Sequence, residues 1–382
     1  MENSLQTFTE EQLSLLQLSL VPGIGPAAIK NWITEYGSAA EFYQNIASQK
    51  HKIKPNIYFQ LEQSKGLVEA IDLEKIHREL TIQTCFWGEE NYPKQLLGIQ
   101  QSPVILYYKG KLETLDSPLV LAIVGTRKPS NHKIAWLKEF ISDLKYLLSD
   151  DGFVVVSGMA HGIDVTAHSI CADLGIRNFG IFAHGLEQVY PKNHAPLAQK
   201  LIHDGGGLVS EHPAYTKMHP DLFPKRNRII AGICHAVLVV ESNIKGGSMV
   251  TASIGNHLGR DVFAVPGRPQ DLSNAGCNYL IQKNMAFLCH NAADLVQQLA
   301  PHLIPTKPLG SFQTAKLLPQ KTHPELSDQQ LRILDQMQQG YTQFDQLLLL
   351  TQITSAQLSA ELTQLEILGL IASEKHQQFS VC

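Results

Sequence analysis

The sequence predicts an α/β protein: a Rossmann-like, doubly wound, mainly parallel sheet, flanked by an N-terminal helical domain of helix-hairpin-helix or SAM-like type and a C-terminal winged helix. Three observations carry this. From Leu119 onward, short apolar runs end in glycine or small residues and lead into amphipathic stretches, which is how alternating strands and helices read. The N-terminal segment has helical patterning around a pair of closely spaced glycines. The C-terminal segment reads as three helices and then a short two-stranded piece, the order of a winged helix.

The chain has 382 residues, enough for two or three domains with sizeable cores. With 44% hydrophobic and 17% charged residues, it is neither a disordered chain nor a disulfide miniprotein. The expected division is an N-terminal helical domain over 1–80, a Rossmann-like core over 81–300, a linker over 301–325 and a winged helix over 326–382.

In the first domain, LSLLQLSLVPGIGPAAIKNWITEYG centres on Val21-Pro22-Gly23-Ile24-Gly25-Pro26, a turn between two helices that presents backbone N–H groups. Residues 1–47 hold one basic residue, Lys30, against five acidic ones, so the turn is read as a packing element rather than a DNA contact. Residues 48–117 show little periodicity and read as a connection. The strand candidates follow as LVLAIV, FVVVS, NFGIFA, GGLVS, AVLVVE, DVFAV and AFLC. The first two each precede a helical stretch, and such βαβ units imply parallel pairing. Residues 301–325 contain five prolines and read as a linker. In the winged helix, the third helix (354–366) has two glutamates and no Lys or Arg, so the module is read as a protein-interaction or packing unit.

The net charge is −4, but it is divided: residues 118–290 carry 16 Lys/Arg against 13 Asp/Glu, while the flanks carry 15 against 22. Screening limits distant charges, so a basic patch in the middle attracts a polyanion even on an acidic chain. The six cysteines (Cys85, Cys171, Cys234, Cys277, Cys289, Cys382) include no C-x-x-C pair and read as buried free thiols in a reducing compartment. Neither a signal core nor a membrane-length apolar stretch is present, and the expected location is the cytoplasm.

In a doubly wound sheet, ligands bind outside the carboxyl ends of the strands. The first strand candidate ends in Gly125, Thr126 and Arg127, which offer close backbone approach, a hydroxyl and a guanidinium fork suited to phosphate. The second ends in Ser157-Gly158-Met159-Ala160-His161-Gly162, a loop that cradles an anion with successive N–H groups; Asp164 behind it reads as a helix-stabilising carboxylate. Phe223 precedes Lys225, Arg226, Asn227 and Arg228; Lys225 and Arg228 share a helix face, Arg226 points elsewhere, and an aromatic beside cations is how single-stranded bases are stacked. Lys245, Gly246, Gly247, Ser248 and Thr251 make a second anion-binding turn, and Val265-Pro266-Gly267-Arg268 a further one. His161 and His168 lack the carboxylate or cysteine spacing of a metal pair. There is no G-x-G-x-x-G, P-loop, G-x-S-x-G or H-E-x-x-H, so no cofactor, metal or catalytic residue is assigned.

The series AIVGTRKPS, VVSGMAHGIDVTAH, HGLEQVYPKNH, GGLVSEHP, FPKRNRIIAGICHAVLVVES, KGGSMVTA, VFAVPGRP and CNYLIQKNMA resembles the DNA-processing protein A family, DprA or Smf, over about residues 85–290. That resemblance implies a Rossmann-like core that binds single-stranded DNA without sequence preference, forms a homodimer, protects the DNA, displaces single-strand binding protein and loads the RecA recombinase during natural transformation. It makes Arg127 the strongest phosphate ligand, and places His161 where the family usually has arginine. The competing readings are a nucleotide-processing hydrolase of the lysine-decarboxylase-like Rossmann group and a scaffold. The hydrolase needs an acid-base residue after the Gly-Gly turn, but residues 242–260 hold no Asp or Glu and Glu241 is the only nearby substitute.

Overall fold

The computed structural model describes residues 8–51, 53–64, 68–148, 152–299, 326–338, 341–368, 370–374 and 378–381. The chain forms two compact units, Met1–Thr306 and Lys307–Cys382. The expected linker over 301–325 lies outside the described residues.

The first unit is built on a nine-stranded sheet: β1 (Gln83–Phe86), β2 (Ile105–Gly110), β3 (Leu119–Val124), β4 (Phe153–Ser157), β5 (Asn178–Phe182), β6 (Gly207–Ser210), β7 (Ala236–Val239), β8 (Asp261–Ala264) and β9 (Phe287–Leu288). Their spatial order is β1-β2-β6-β5-β4-β3-β7-β8-β9. Every apolar run singled out in the sequence is a strand. Strands β3 to β9 pair in parallel, and the chain winds outward from β3 first toward β6 and then toward β9. Side chains alternate across β3: Val120, Ala122 and Val124 pack on one face with Ile229, Ile230 and Ala252. Leu119, Leu121 and Ile123 pack on the other with Leu137, Ile141 and Leu295. Burial on both faces explains why these strands read as continuous apolar runs rather than alternating ones.

The segment read as a connection holds more structure than expected. It contains helices Pro55–Ser64 and Val68–Glu79 and strands β1 and β2, which extend the sheet antiparallel beyond β6. Strand β1 is only four residues of mixed polarity with an exposed-to-buried gradient, so neither period announces it.

At the N-terminus, helix Glu10–Leu20 starts at a capping box of Thr9 with Gln12, and helix Pro26–Tyr36 starts after Gly25 with proline in its first turn. Lys30 is buried: its Nζ donates to Ile99 O at 2.9 Å and to Ser102 Oγ at 2.5 Å, and it sits over the Trp87 ring. Trp32 stacks on Phe42 with centroids 4.4 Å apart. These helices share one core with the sheet edge, in which Leu16, Ile29 and Phe42 lie with Phe86, Tyr107 and Phe182.

The second unit has helices Asp328–Gln338, Phe344–Thr351 and Ser355–Ile367 and an antiparallel pair, β10 (Ile371–Glu374) and β11 (Gln378–Val381), the winged-helix order. Its core gathers Ile333, Leu347, Leu358, Leu362 and Ile371. The third helix carries Glu361 and Glu366 and no cation. Among the described residues no helix is long and apolar enough to cross a membrane, and Cys85, Cys171, Cys234, Cys277 and Cys289 are buried free thiols.

Candidate functional site

Strands β3 and β7 are neighbours in the sheet but lie on opposite sides of the point where the winding reverses. Outside their carboxyl ends the flanking helices diverge, and a cleft of about 560 Å³ opens there, where an open α/β sheet places its ligand. Val124, Gly125, Thr126 and Arg127 line it from the end of β3. Gly158, Ala160, His161 and Asp164 line it from the loop and helix after β4. Phe223, Arg226 and Asn227 come from helix Leu222–Ile233, and Gly246, Gly247, Ser248 and Thr251 from the start of helix Gly247–His257.

Close backbone contact builds this floor. Thr126 N–H donates to Glu241 O at 2.7 Å, and Ile163 N–H donates to Thr126 O at 3.1 Å, fastening β3, β7 and the loop after β4 together. Gly162 lies between them with φ +81, and a Cβ there would stand 2.2 Å from Thr126 O. No other residue fits. Gly158 serves differently: a Cβ on it would stand 2.6 Å from an Arg226 guanidinium nitrogen, so its bareness lets that side chain pass.

Arg226 is buried under the cleft. It donates to Gly158 O at 2.9 Å, to Ile181 O, and from Nε to Asn227 Oδ1 at 3.2 Å. Burial pulls its guanidinium down to about 10, against the opposing pull of Asp164. Asp164 is buried too, and its Oδ2 accepts the Gly158 N–H at 3.1 Å. Burial raises its carboxyl to about 6, with Arg226 and the backbone N–H groups acting in the other direction. The carboxylate read as a simple helix stabiliser therefore fixes the glycine loop as well.

Six sequence-selected residues are not on the lining. The Ser157 hydroxyl donates to Ile123 O at 2.6 Å inside the core, and Gly162 is half-buried against Thr126 and Arg127. Arg228 pairs with Glu211; Lys225 and Lys245 are exposed, each next in sequence to a lining residue, and Arg268 is exposed in the loop after β8. His161 is exposed at the rim, edge-on to His194 with centroids 4.9 Å apart. His168, by contrast, is a core group. Its Nδ1 donates to Asn178 Oδ1 at 2.7 Å, and burial holds its imidazole down to about 4.

Sequence reasoning passed over several lining residues, among them Asp164, Tyr190, Pro191, Ser242 and Asn243. The available signal was an aromatic-proline pair, Tyr190-Pro191, soon after the end of β5. Glu241 is accounted for elsewhere: its carboxylate accepts from Ser130 N–H at 2.9 Å and from Ser273 Oγ at 2.6 Å, tying two loops together. It is not on the cleft lining.

Fold and site together define a class: a doubly wound Rossmann-like protein with a glycine-rich, cation-bearing cleft at its switch point and a winged helix as a separate unit. The family model of DNA recombination-mediator protein A matches residues 83–300, and that of the DprA winged helix domain matches 318–375. Protein Smf of Synechocystis sp. is 30% identical over 97% of this chain and 98% of its own length. The DNA processing protein DprA of Bacillus subtilis is 36% identical over 58% of this chain and 73% of its own. Among solved structures, the DNA processing protein A of Streptococcus pneumoniae covers 77% of this chain and 99% of its own at a TM-score of 0.64 and 29% identity. That of Helicobacter pylori, described for its single-stranded DNA binding mode, covers 58% and 96% at 0.51 and 26%. The chain belongs to the DNA recombination-mediator protein A family.

Proposed function

We propose that this protein binds single-stranded DNA without sequence preference in the switch-point cleft, protects it, and loads the RecA recombinase onto it during natural transformation. The observation that carries the reading is the convergence at one cleft of Arg127, the glycine loop at Gly158–Gly162, the turn at Gly246–Ser248 and the aromatic ring of Phe223. Backbone N–H groups and a guanidinium suit phosphate, while the ring suits an unpaired base. Lys225 and Lys245, exposed and each next in sequence to a lining residue, extend the positive track along which a strand continues.

A homodimer belongs to this reading. The sheet ends at β9, whose Phe287 and Leu288 are 48% and 50% exposed, and Tyr279 nearby in sequence is 38% exposed. These apolar side chains beside an open strand edge suit a second copy of the chain. We assign no catalytic step: the carboxylate at the end of β7, Glu241, accepts from Ser130 and Ser273 and is not on the cleft lining.

The test is fluorescence anisotropy with labelled oligo-dT and an equal-length duplex at two salt concentrations. Binding should prefer the single strand and weaken by roughly 10- to 100-fold between 50 and 200 mM salt, as a few released counterions require. Affinity that ignores salt would overturn the proposal. Release of free base from nucleoside monophosphates would instead revive a hydrolase.

A further inference from the structure

A second groove, of about 1100 Å³, lies in the first unit where the N-terminal helices meet the outermost strand of the sheet, and it shares no lining residue with the switch-point cleft. Its apolar lining is aromatic: Phe8 stands edge-on to Phe86 with centroids 5.3 Å apart, and Tyr92 and Tyr108 complete it. Its charge is opposite to that of the cleft. Among the described residues five carboxylates line it against two cations, and each cation is already paired, Arg78 with Glu74 and Lys94 with Asp116, both at 2.6 Å. Glu90 and Glu113 are exposed and have no paired cation among the described residues.

Strand β1 borders the groove and ends the sheet, so one of its edges has no strand beside it. Trp87 N–H donates inward to Val104 O at 2.8 Å, and in an antiparallel ladder the backbone groups of alternate residues face the same way. Those of Ile82, Thr84 and Phe86 therefore face outward. Ile82 N–H is closed off by His77 O at 2.8 Å. Phe86 is closed off by Glu89, whose Oε2 accepts its N–H at 2.9 Å and whose own N–H donates to its O at 3.1 Å. Such local closures keep an edge strand from pairing along its whole length. Thr84 has no such partner among the described residues, so its N–H and C=O stay open on the groove side.

A buried donor adds to this open pair. Glu74, His77 and Arg78 are three and four positions apart on helix Val68–Glu79 and share the face it turns to the groove. His77 is 2% exposed, and burial holds its imidazole down to about 4, so the ring is neutral. Its Nε2 accepts the Ala214 N–H at 3.0 Å, which puts the ring proton on Nδ1, and that donor has no partner. A buried N–H without an acceptor marks a place where a ligand supplies one. The chemistry left open is thus one backbone pair, one N–H donor, an aromatic floor and two free carboxylates. Phosphate is repelled by such a rim, and a helix keeps its backbone groups for itself.

We propose that this groove docks an extended, basic segment of a partner protein, which pairs its backbone with Thr84 and sets lysine or arginine side chains against Glu90 and Glu113. The mode is strand addition limited to a single residue pair, with charge supplying the selection.

The experiment titrates the full-length chain, by anisotropy, with three labelled peptides of equal length: alternating lysine and threonine, alternating glutamate and threonine, and the lysine peptide with its backbone nitrogens methylated. The lysine peptide should bind and the glutamate peptide should not. Methylation should weaken binding by roughly 5-fold or more, since it removes the donor to Thr84 O. Glu90→Lys combined with Glu113→Lys should weaken the lysine peptide by roughly 10- to 50-fold. Thr84→Pro, which deletes only an outward N–H at a sheet edge, should weaken it by about 5-fold, and Thr84→Val should match wild type. Oligo-dT affinity should stay within about twofold throughout, which separates this site from the cleft. If Thr84→Pro does not fold, the methylated peptide answers the same question. No binding of the lysine peptide, equal binding of the glutamate or methylated peptide, or wild-type affinity in the charge-reversed variant would overturn the proposal.

Discussion

Two helices in the first unit open after a glycine turn, one at Gly25 and one at Gly246, and their surroundings make them different objects. Both present free backbone N–H groups, and neither is capped by a side chain. Beside Gly246 stand Arg127, Thr126 and Ser248 on a shared cleft. Beside Gly25 the sole cation of the first 47 residues, Lys30, is turned inward onto Ile99 O and Ser102. On the proposed reading of the cleft, a helix start becomes an anion site only where the fold leaves a cation beside it. In the N-terminal helices that cation instead joins them to the loop that leads into β2.

Four measurements would break or sharpen this contrast, from the largest effect to the smallest. Gly162→Ala forces a side chain into positive φ and onto Thr126 O. It should cost about 3 kcal/mol or more in urea denaturation, whereas Gly25→Ala, with nothing within 4 Å of its Cβ, should cost less than about 0.5 kcal/mol. Equal costs would mean that the cleft floor is not the rigid element described.

Arg127→Ala should weaken oligo-dT binding by roughly 10- to 100-fold, about 1.4 to 3 kcal/mol, and lower the salt slope by about 0.7. An unchanged slope would move the phosphate contact elsewhere.

Asp164 supplies a pH signature. Its carboxyl is raised from 3.8 to about 6 by burial, so between those values the folded chain holds a proton that the unfolded chain has released. The stability this contributes is present below about pH 4 and is lost as pH rises through 6. The wild-type stability minus that of Asp164→Asn should therefore fall by about 2 to 3 kcal/mol across that window. A flat difference would show a carboxylate ionised throughout.

Lys30→Met should show the smallest change on DNA: oligo-dT affinity within about twofold of wild type, with about 1 kcal/mol lost in stability as Ser102 and Ile99 O lose their donor. A large loss of affinity would erase the distinction between the two turns.

Much of this architecture is legible from residue order. Strands buried on both faces must be apolar throughout, so LVLAIV, FVVVS and their successors announce themselves. The glycine turns at their ends mark the cleft because backbone approach tolerates nothing larger. Strand β1 does not show, since it is short and half-exposed at the sheet edge. Tyr190 was not legible as a site residue either, because its proximity to Phe223 spans 33 positions of chain.

By itself, then, the sequence determined the βα alternation, the glycines and cations at the strand ends, and the acidic character of the winged helix. These are local properties, set by periodicity, backbone freedom and charge. Tertiary structure alone decided what each cation does. Arg226 braces the floor, Arg228 pairs with Glu211, Lys30 fastens a helix to the loop before β2, and Arg127 stands exposed at the cleft. A side chain's role depends on which distant carbonyls and carboxylates the fold brings within hydrogen-bonding reach, and no local pattern encodes that distance.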